Sequence, residues 1–568
     1  MSAHYTGRLR FILFGIFIIA VFLSIRLFSV QVTHGNKYRD LAEKQYLVQS
    51  GTLFDRGSIS FQEKDGGLVS AATLKSGYIL AINPGAIDDP DTTYSVLSNH
   101  LEIEEEEFKR KARKLDDPYE EITNQITEEV ADDIVDEELS GVGLYKERWR
   151  VYPGGSLAAH VLGYVGFKED DFSGRYGIER YYNDLLERNT EGAYNNFFAE
   201  IFSNIGGLFN SSSKREADLV LTIEPTAQAF VEDELETLQN EVRYDEGGLI
   251  VMDPHTGKIV AMAALPTFDP GAYGEANDVS VFSNPFVEDV YEFGSIVKPL
   301  TVAAALDAGV LNEEDTFDDE GYVELDGERI ENFDGKGRGI VPVQEILNQS
   351  LNTGAVYAMQ ELGRDVFREY MYAYGLNSKT DIDLPDEVNG IVGNLESSRD
   401  IEYATASFGQ GVAVTPINMT RALATLANGG ILVRPYVVAE LDYKGYPKRV
   451  VKTEEQGKAL KEDTSARISA MLTTVVDEAL RDGTVALPNY SLAAKTGTAQ
   501  IPNPEGGYYE DRFLHSFFGY FPSYDPEFLV FTYIVNPKEG RYASETLTDI
   551  FINTATFLIN YYDIPPDR

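Results

Sequence analysis

Residues 292–306 read Glu292-Phe293-Gly294-Ser295-Ile296-Val297-Lys298-Pro299-Leu300-Thr301-Val302-Ala303-Ala304-Ala305-Leu306. Ser295 and Lys298 are three apart, so on a helix they share a face. Pro299 sets where that helix begins, because proline is tolerated in the first turn, where its missing N–H would have been unpaired. Ser295 therefore falls at the helix N-terminus. There its own N–H points outward and the helix dipole favours negative charge. A serine nucleophile needs a nearby base and donors for the developing oxyanion. A lysine can be that base only as the neutral amine, so its pKa must fall. An apolar helix and a second nearby cation would both push it down. Ser211-Ser212-Ser213-Lys214 has the same spacing but lies in a polar loop with no helix behind it, and is set aside.

Two further short elements follow in the chain. Ser350-Leu351-Asn352 comes roughly 55 residues after Ser295, and Lys495-Thr496-Gly497-Thr498 roughly 145 residues after that. Alone, the first could be a helix cap and the second a strand with a bulge. In the order S-x-x-K, S-x-N, K-T-G they make the signature of penicillin-binding proteins and β-lactamases, in which S-D-N fills the second slot. Each residue then has a chemical task. Ser350 can relay a proton between Lys298 and a leaving or entering amine, and Asn352 can hold a peptide amide. Lys495 can attract a carboxylate and help depress Lys298. Thr496 and Thr498 offer hydroxyls to the same carboxylate. Gly497, with no side chain, lets a substrate backbone approach the strand edge. The N–H groups of Ser295 and Thr498 can form the oxyanion hole.

The flanking sequence points to an α+β domain. Leu219–Ile223 is strand-like, and Thr226–Val242 has Phe230, Val231, Leu235 and Leu238 at helical spacing. Gly248–Met252 and Lys258–Ala264 flank the turn Asp253-Pro254-His255-Thr256-Gly257, a hairpin by its turn chemistry. Ser491–Ile501, Ser516–Phe521 and Phe528–Val535 read as three more strands, and Ser544–Tyr561 as a closing helix. A helix, a hairpin, a helical middle, three strands and a last helix predict an antiparallel sheet flanked by helices. Earlier in the chain, residues 102–138 read as helical and highly charged.

The 568 residues are too many for one ordinary domain, and 43% hydrophobic content suits a packed core. The net charge of -44 argues against nucleic acid, which needs a basic footprint. With no cysteine there is no disulfide, thiolate nucleophile or cysteine-ligated zinc. The six histidines are scattered, so neither a metal site nor a cofactor is expected. Phe11–Ile25 carries no charge, and with Arg26 snorkelling to the interface a span of about 20 residues is reached. Bulky residues where a cleavage site would need small ones favour an uncleaved anchor. Arg8 and Arg10 before it favour a cytoplasmic N-terminus. The expected organisation is a cytoplasmic tail at 1–10, a membrane anchor at 11–32, a mixed acidic domain at 33–217 and the sheet domain at 218–568.

Over nearly its whole length the chain resembles the class B penicillin-binding proteins. Besides the three motifs, Arg56-Gly57-Ser58-Ile59 looks like the start of that family's pedestal. Tyr152-Pro153-Gly154, Ala158–Gly163 and Gly177-Ile178-Glu179 are similar to its pedestal signatures. Ser407-Phe408-Gly409-Gln410-Gly411 with Val414-Thr415-Pro416 looks like the segment lining its active-site floor. The resemblance implies a membrane-anchored D,D-transpeptidase acting outside the cytoplasm in elongation or division. Its donor is a peptidoglycan stem peptide ending in D-Ala-D-Ala, its acceptor an amine on a neighbouring stem, and β-lactams are its covalent inhibitors. It also implies that the 33–217 pedestal contacts partners such as a multi-pass membrane glycan polymerase. A D,D-carboxypeptidase, a membrane-anchored lactam sensor or β-lactamase-like protein, and a non-catalytic wall-assembly scaffold are the competing readings. Phe293 departs from the family, which usually has proline before Gly-Ser. Residues 196–209 are longer and more aromatic than usual.

Overall fold

The computed structural model describes residues 54–168, 171–188 and 216–568. The expected anchor at 11–32 and the aromatic stretch at 196–209 lie outside these residues. Among the described residues no helix is long and apolar enough to cross a membrane. They fall into two compact units. One is essentially Lys75–Trp149; the other combines Arg56–Leu74, Arg150–Arg188 and the chain from 216 onward.

Strand β1 (Ile59–Gln62) pairs antiparallel with the first part of β2 (Leu68–Ile82). In the smaller unit the second part of β2 pairs with β3 (Glu120–Ile126), and β2 also pairs with β4 (Val142–Val151). Helices α1 (Pro90–Leu97), α2 (Glu105–Ala112) and α3 (Glu128–Asp136) close a small core around Leu80, Ile82, Phe108, Ile126 and Ile134. The expectation of continuous helix over 102–138 is corrected here, because β3 interrupts it. Pro118 disfavours helix at the residue before it, and Ile122, Thr123 and Ile126 are β-branched residues suited to a pleated surface. The charge is divided between α3, with Glu128 and Glu129 in its first turn, and α2, with Glu105–Glu107 in its first turn and Lys109–Lys111 in its last, matching the helix dipole at both ends.

In the larger unit, β5 (Ala217–Leu221) runs parallel to β1 and antiparallel to the strand Val438–Tyr443. The pedestal-like motifs converge here on one buried carboxylate. Glu179 accepts Arg56 Nε at 2.5 Å, Arg150 Nε at 2.6 Å and the Tyr152 hydroxyl at 3.3 Å. Arg56 also donates to the Glu179 carbonyl and to Asn183, and Arg150 to the Gly57 carbonyl. Burial alone would push the Glu179 carboxyl up. The adjacent Arg150 and Arg56 charges overcome it and hold the carboxyl below its ordinary value.

The second sheet is fully antiparallel. Its strands are β6 (Glu246–Met252), β7 (Ile259–Leu265), β8 (Ala493–Pro502), β9 (Tyr508–Phe521) and β10 (Phe528–Val535), in the order β8-β9-β10-β6-β7. The period of two sends alternate residues to opposite faces. Leu249, Val251, Phe517 and Val530 pack with Val231 and Leu235 of α4 (Pro225–Val242). Ile250, Phe518 and Phe531 share the other core with Leu300 and Val302 of α5 (Lys298–Ala308). Because both faces are covered, β10 reads as a nearly continuous apolar run, Phe-Leu-Val-Phe-Thr-Tyr-Ile-Val. The closing helix expected over 544–561 is two helices. A short one at Ala543–Thr546 and α7 (Thr548–Tyr561) are parted at Leu547, whose side chain is drawn into the core. Between the sheet's first hairpin and β8 lie α5, α6 (Asn352–Leu362) and further helices.

Candidate active site

The turn that carries Ser295 is held from three sides. Gly294–Val297 forms a 3₁₀ turn that leads directly into α5, with Pro299 in the first turn of that helix. Gly294 has φ +63° and donates its N–H to the Gly409 carbonyl at 3.1 Å. The Ser407–Gly411 segment thus lies beneath the turn, and Thr301 Oγ1 adds a 2.7 Å bond to the Ser407 carbonyl. Phe293, where the family resemblance leads to an expectation of proline, is fully buried. Its ring packs edge-on against Phe531 at 5.2 Å, and its carbonyl accepts Ser516 Oγ at 2.8 Å. The aromatic ring fixes the approach to the turn by packing where a proline would fix it by restricting φ.

Strand β8 supplies the third side. A Cβ on Gly497 would stand 2.4 Å from Ser516 Oγ and 2.5 Å from the Phe293 carbonyl oxygen. Glycine at this position is therefore required by the protein's own packing, because it lets the Ser295 turn lie against the strand. Sequence alone suggested only the substrate's need for a bare strand edge.

The three motifs meet at Ser350. The Lys298 amine donates to the Ser350 carbonyl at 2.5 Å and lies 3.2 Å from Ser350 Oγ. The Lys495 amine lies 3.1 Å from the same Oγ and 3.1 Å from the Thr496 carbonyl. Ser350 sits between the short helix Gln344–Asn348 and α6 with φ +55°, a left-handed conformation that few side-chain-bearing residues adopt. Lys298 and Lys495 are both buried, at 0% and 3% exposure. Burial drives the Lys298 ammonium well below the ordinary lysine range, and the Lys495 charge beside it lowers it further. Burial lowers Lys495 to about 7. A neutral Lys298 can accept the Ser350 hydroxyl proton while Ser350 accepts from a protonated Lys495. That is a proton path between two amines through one hydroxyl.

Asn352 starts α6 and is fixed by residues that sequence reading passed over. Its backbone N–H donates to Asn332 Oδ1 at 2.9 Å, and its side-chain amide donates to the Glu331 carbonyl at 2.8 Å. The carboxamide oxygen is thereby oriented as the acceptor that a substrate amide would need. Asn332 is held in turn by Asp319, at 2.9 and 3.1 Å, and Thr353 Oγ1 also donates to Asp319 at 2.8 Å. No short motif marks Asp319 or Asn332. Only the hairpin that folds between α5 and α6 brings them to the site. On β8, Thr496 and Thr498 are half-buried on the edge strand. The Thr498 hydroxyl already accepts the Ala543 N–H at 3.1 Å, which leaves its own proton to donate.

Residues 247–554 match the family model of the penicillin binding protein transpeptidase domain. The chain belongs to the penicillin-binding protein family. Residues 56–196 of this penicillin-binding protein match the family's dimerisation domain, the stretch that contains Arg56, Arg150 and Glu179. Stage V sporulation protein D of Bacillus subtilis strain 168 is 34% identical over 94% of this chain and 82% of its own length. Peptidoglycan D,D-transpeptidase FtsI of Escherichia coli strain K12 is 26% identical over 74% of this chain and 68% of its own. The crystal structure of Penicillin Binding Protein 2X from Streptococcus thermophilus superposes with a TM-score of 0.72. It is 21% identical and covers 90% of this chain and 81% of that one, which shows a shared fold.

Proposed function

We propose that Ser295 is the nucleophile through which this penicillin-binding protein works. The chain is a peptidoglycan D,D-transpeptidase, a serine-type acyltransferase of cell-wall synthesis. Ser295 Oγ attacks the carbonyl of the penultimate D-Ala of a stem peptide and passes its proton to the neutral Lys298 amine. The tetrahedral oxyanion is received by the N–H groups of Ser295 and Thr498. As the C–N bond breaks, the terminal D-Ala takes up a proton relayed through Ser350 and leaves as the free amino acid. The amine of a neighbouring stem then attacks the Ser295 ester, loses a proton back along the same path and frees the hydroxyl. Protonated Lys495, with the Thr496 and Thr498 hydroxyls, receives the donor's terminal carboxylate. The Asn352 carboxamide oxygen accepts the donor's peptide N–H, and Gly497 keeps β8 close to the nucleophile turn. No cofactor enters these steps.

The observation that carries this reading is the Ser350 hydroxyl lying 3.1–3.2 Å from two buried amines whose proton affinities are both lowered. A labelled penicillin tests it. A stable adduct on the wild-type chain that vanishes in Ser295→Ala, with an unchanged melting curve, is the expected result. Labelling that persists in the variant refutes the assignment. Rapid release of the label would make the chain a lactamase.

The same reading includes an organisation along the chain. Residues 11–32 form a single-pass anchor with the tail 1–10 in the cytoplasm. The 33–217 region is a pedestal that engages a multi-pass membrane glycan polymerase, and 218–568 is the catalytic domain outside the cytoplasm. The charge-free run Phe11–Ile25 supports the anchor, and the dimerisation-domain match supports the pedestal.

A further inference from the structure

Two walls flank Ser350, and each ends in an aromatic ring. On the α6 side, Glu331 and Asn332 bond directly to Asn352, and the next residue is Phe333. On the β8 side, Ala543 bonds directly to Thr498, and the residue before it is Tyr542. The Ala543–Thr546 helix is pinned a second time, where Thr546 Oγ1 meets Nδ1 of the buried His515 at 2.9 Å. His515 stands opposite Thr498 in the β8–β9 ladder. The two rings meet edge to face, with centroids 5.7 Å apart and planes at 76°.

Nothing in the core accounts for this contact. Phe333 is 54% exposed and belongs to no buried cluster. It touches Tyr542 across the gap between the S-x-N and K-T-G motifs. Tyr542 carries the Arg541 guanidinium 5.2 Å from its ring centroid, and the Arg541 N–H is fixed to Glu545 at 2.7 Å. Both backbones are thus anchored to site residues, while the rings meet in a half-solvated position where they can part.

We propose that Phe333 and Tyr542 form an aromatic latch that joins the two walls of the cleft and selects acyl donors by the bulk of the group carried beyond the reacting carbonyl. This rests on the transpeptidase reading above, since the latch controls what reaches Ser295. A slim donor passes beneath the joined rings. A donor with a large side chain must first separate them, and so loses the edge-to-face contact before acylation begins. An edge-to-face pair of this kind alters an equilibrium by about threefold to tenfold. Latch opening therefore slows bulky donors by that factor and leaves slim ones nearly unaffected.

Acylation by two β-lactams tests it on the full chain, one with a compact acyl side chain and one with a large branched one. Phe333→Ala and Tyr542→Ala should each raise the second-order acylation rate of the bulky compound about threefold to tenfold. The compact one should change less than about twofold. The double variant should match either single one, because one contact is lost in all three. Phe333→Tyr and Tyr542→Phe keep both rings and should behave as wild type. Equal effects on the two compounds, slower acylation of the bulky one, or single effects that multiply in the double variant would overturn the latch. Normal wild-type acylation with unaltered variants defeats the latch alone. A wild-type chain that takes up neither compound defeats the transpeptidase reading and the latch with it.

Discussion

Two buried clusters of charge in the larger unit, around Glu179 and around Ser350, are built on opposite rules. Around Glu179 the acid is matched by Arg56 and Arg150, both nearly fully buried, and the ion pairs close at 2.5 and 2.6 Å. Around Ser350 two lysines are buried, and the groups that meet their amines are a hydroxyl and two backbone carbonyls rather than a carboxylate. In the first cluster each charge stabilises the other, and the side chains cross-brace chain segments 93 and 123 residues apart. In the second, burial without a counter-charge lowers the hold of a lysine on its proton. The same operation, removing a charge from water, makes a brace in one place and an amine of lowered proton affinity in the other. The difference is whether an opposite charge is buried with it.

Three experiments break or sharpen that contrast. The largest effect belongs to Lys298→Met. Loss of the base should slow penicillin acylation by about 10²–10⁴-fold. The melting temperature should hold or rise, because an amine buried at a cost is gone. Retained acylation, or a collapse in stability comparable to loss of a brace, would show that Lys298 belongs to the structural kind of cluster. Next is Glu179→Gln, which leaves two arginines buried without their counter-charge. Denaturant unfolding should show a loss of about 3–5 kcal/mol, while acylation per folded molecule stays near wild type. The glutamate also fixes a pH dependence. Its carboxyl is held below its ordinary value when folded, so its contribution is present above the unfolded pKa and is lost as pH falls through the folded one. Wild type should therefore lose stability in acid more steeply than Glu179→Gln.

The smallest effect is a shift in a pH profile. Acylation should rise with pH as Lys298 loses its proton. It should fall again above about 7, as Lys495 loses the charge that attracts the ligand's carboxylate. Lys495→Met removes that alkaline limb. It also removes the neighbouring cation that lowers Lys298, so the acid limb should move to higher pH. An unmoved acid limb would mean that burial alone sets the Lys298 proton affinity. The lysines change stability with pH in the same direction as Glu179, but as a cost relieved rather than a contribution gained. A lysine lowered in the fold binds fewer protons there than when unfolded, so its cost eases as pH climbs towards the ordinary lysine value.

Much of the site is legible in sequence because its chemistry is local. A serine and a lysine three apart ahead of a proline state a helix start and a shared face. Lys495-Thr496-Gly497 declares itself by residue type on an apolar strand. Less legible were features set by partners. Residues 120–126 sit in a stretch charged enough to read as helix, and they became a strand because β2 offers an edge and the helix before them ends at Ala112. Asn332 and Asp319 look like ordinary loop residues until the hairpin folds against Asn352. Gly497 invited an explanation from the substrate, whereas the clash a Cβ would make is with Phe293 and Ser516.

By itself the sequence determined which motifs occur, in what order, and that an antiparallel sheet with helices on both faces would carry them. Those properties follow from side-chain chemistry and from periods of two and 3.6 residues, which neighbours along the chain impose. Tertiary structure alone decided that Lys298 and Lys495 share one hydroxyl, that Arg56 and Arg150 share one carboxylate, and that Phe333 faces Tyr542. A proton affinity depends on burial and on charges a few ångströms away, and in this chain those charges come from residues about 200 positions apart.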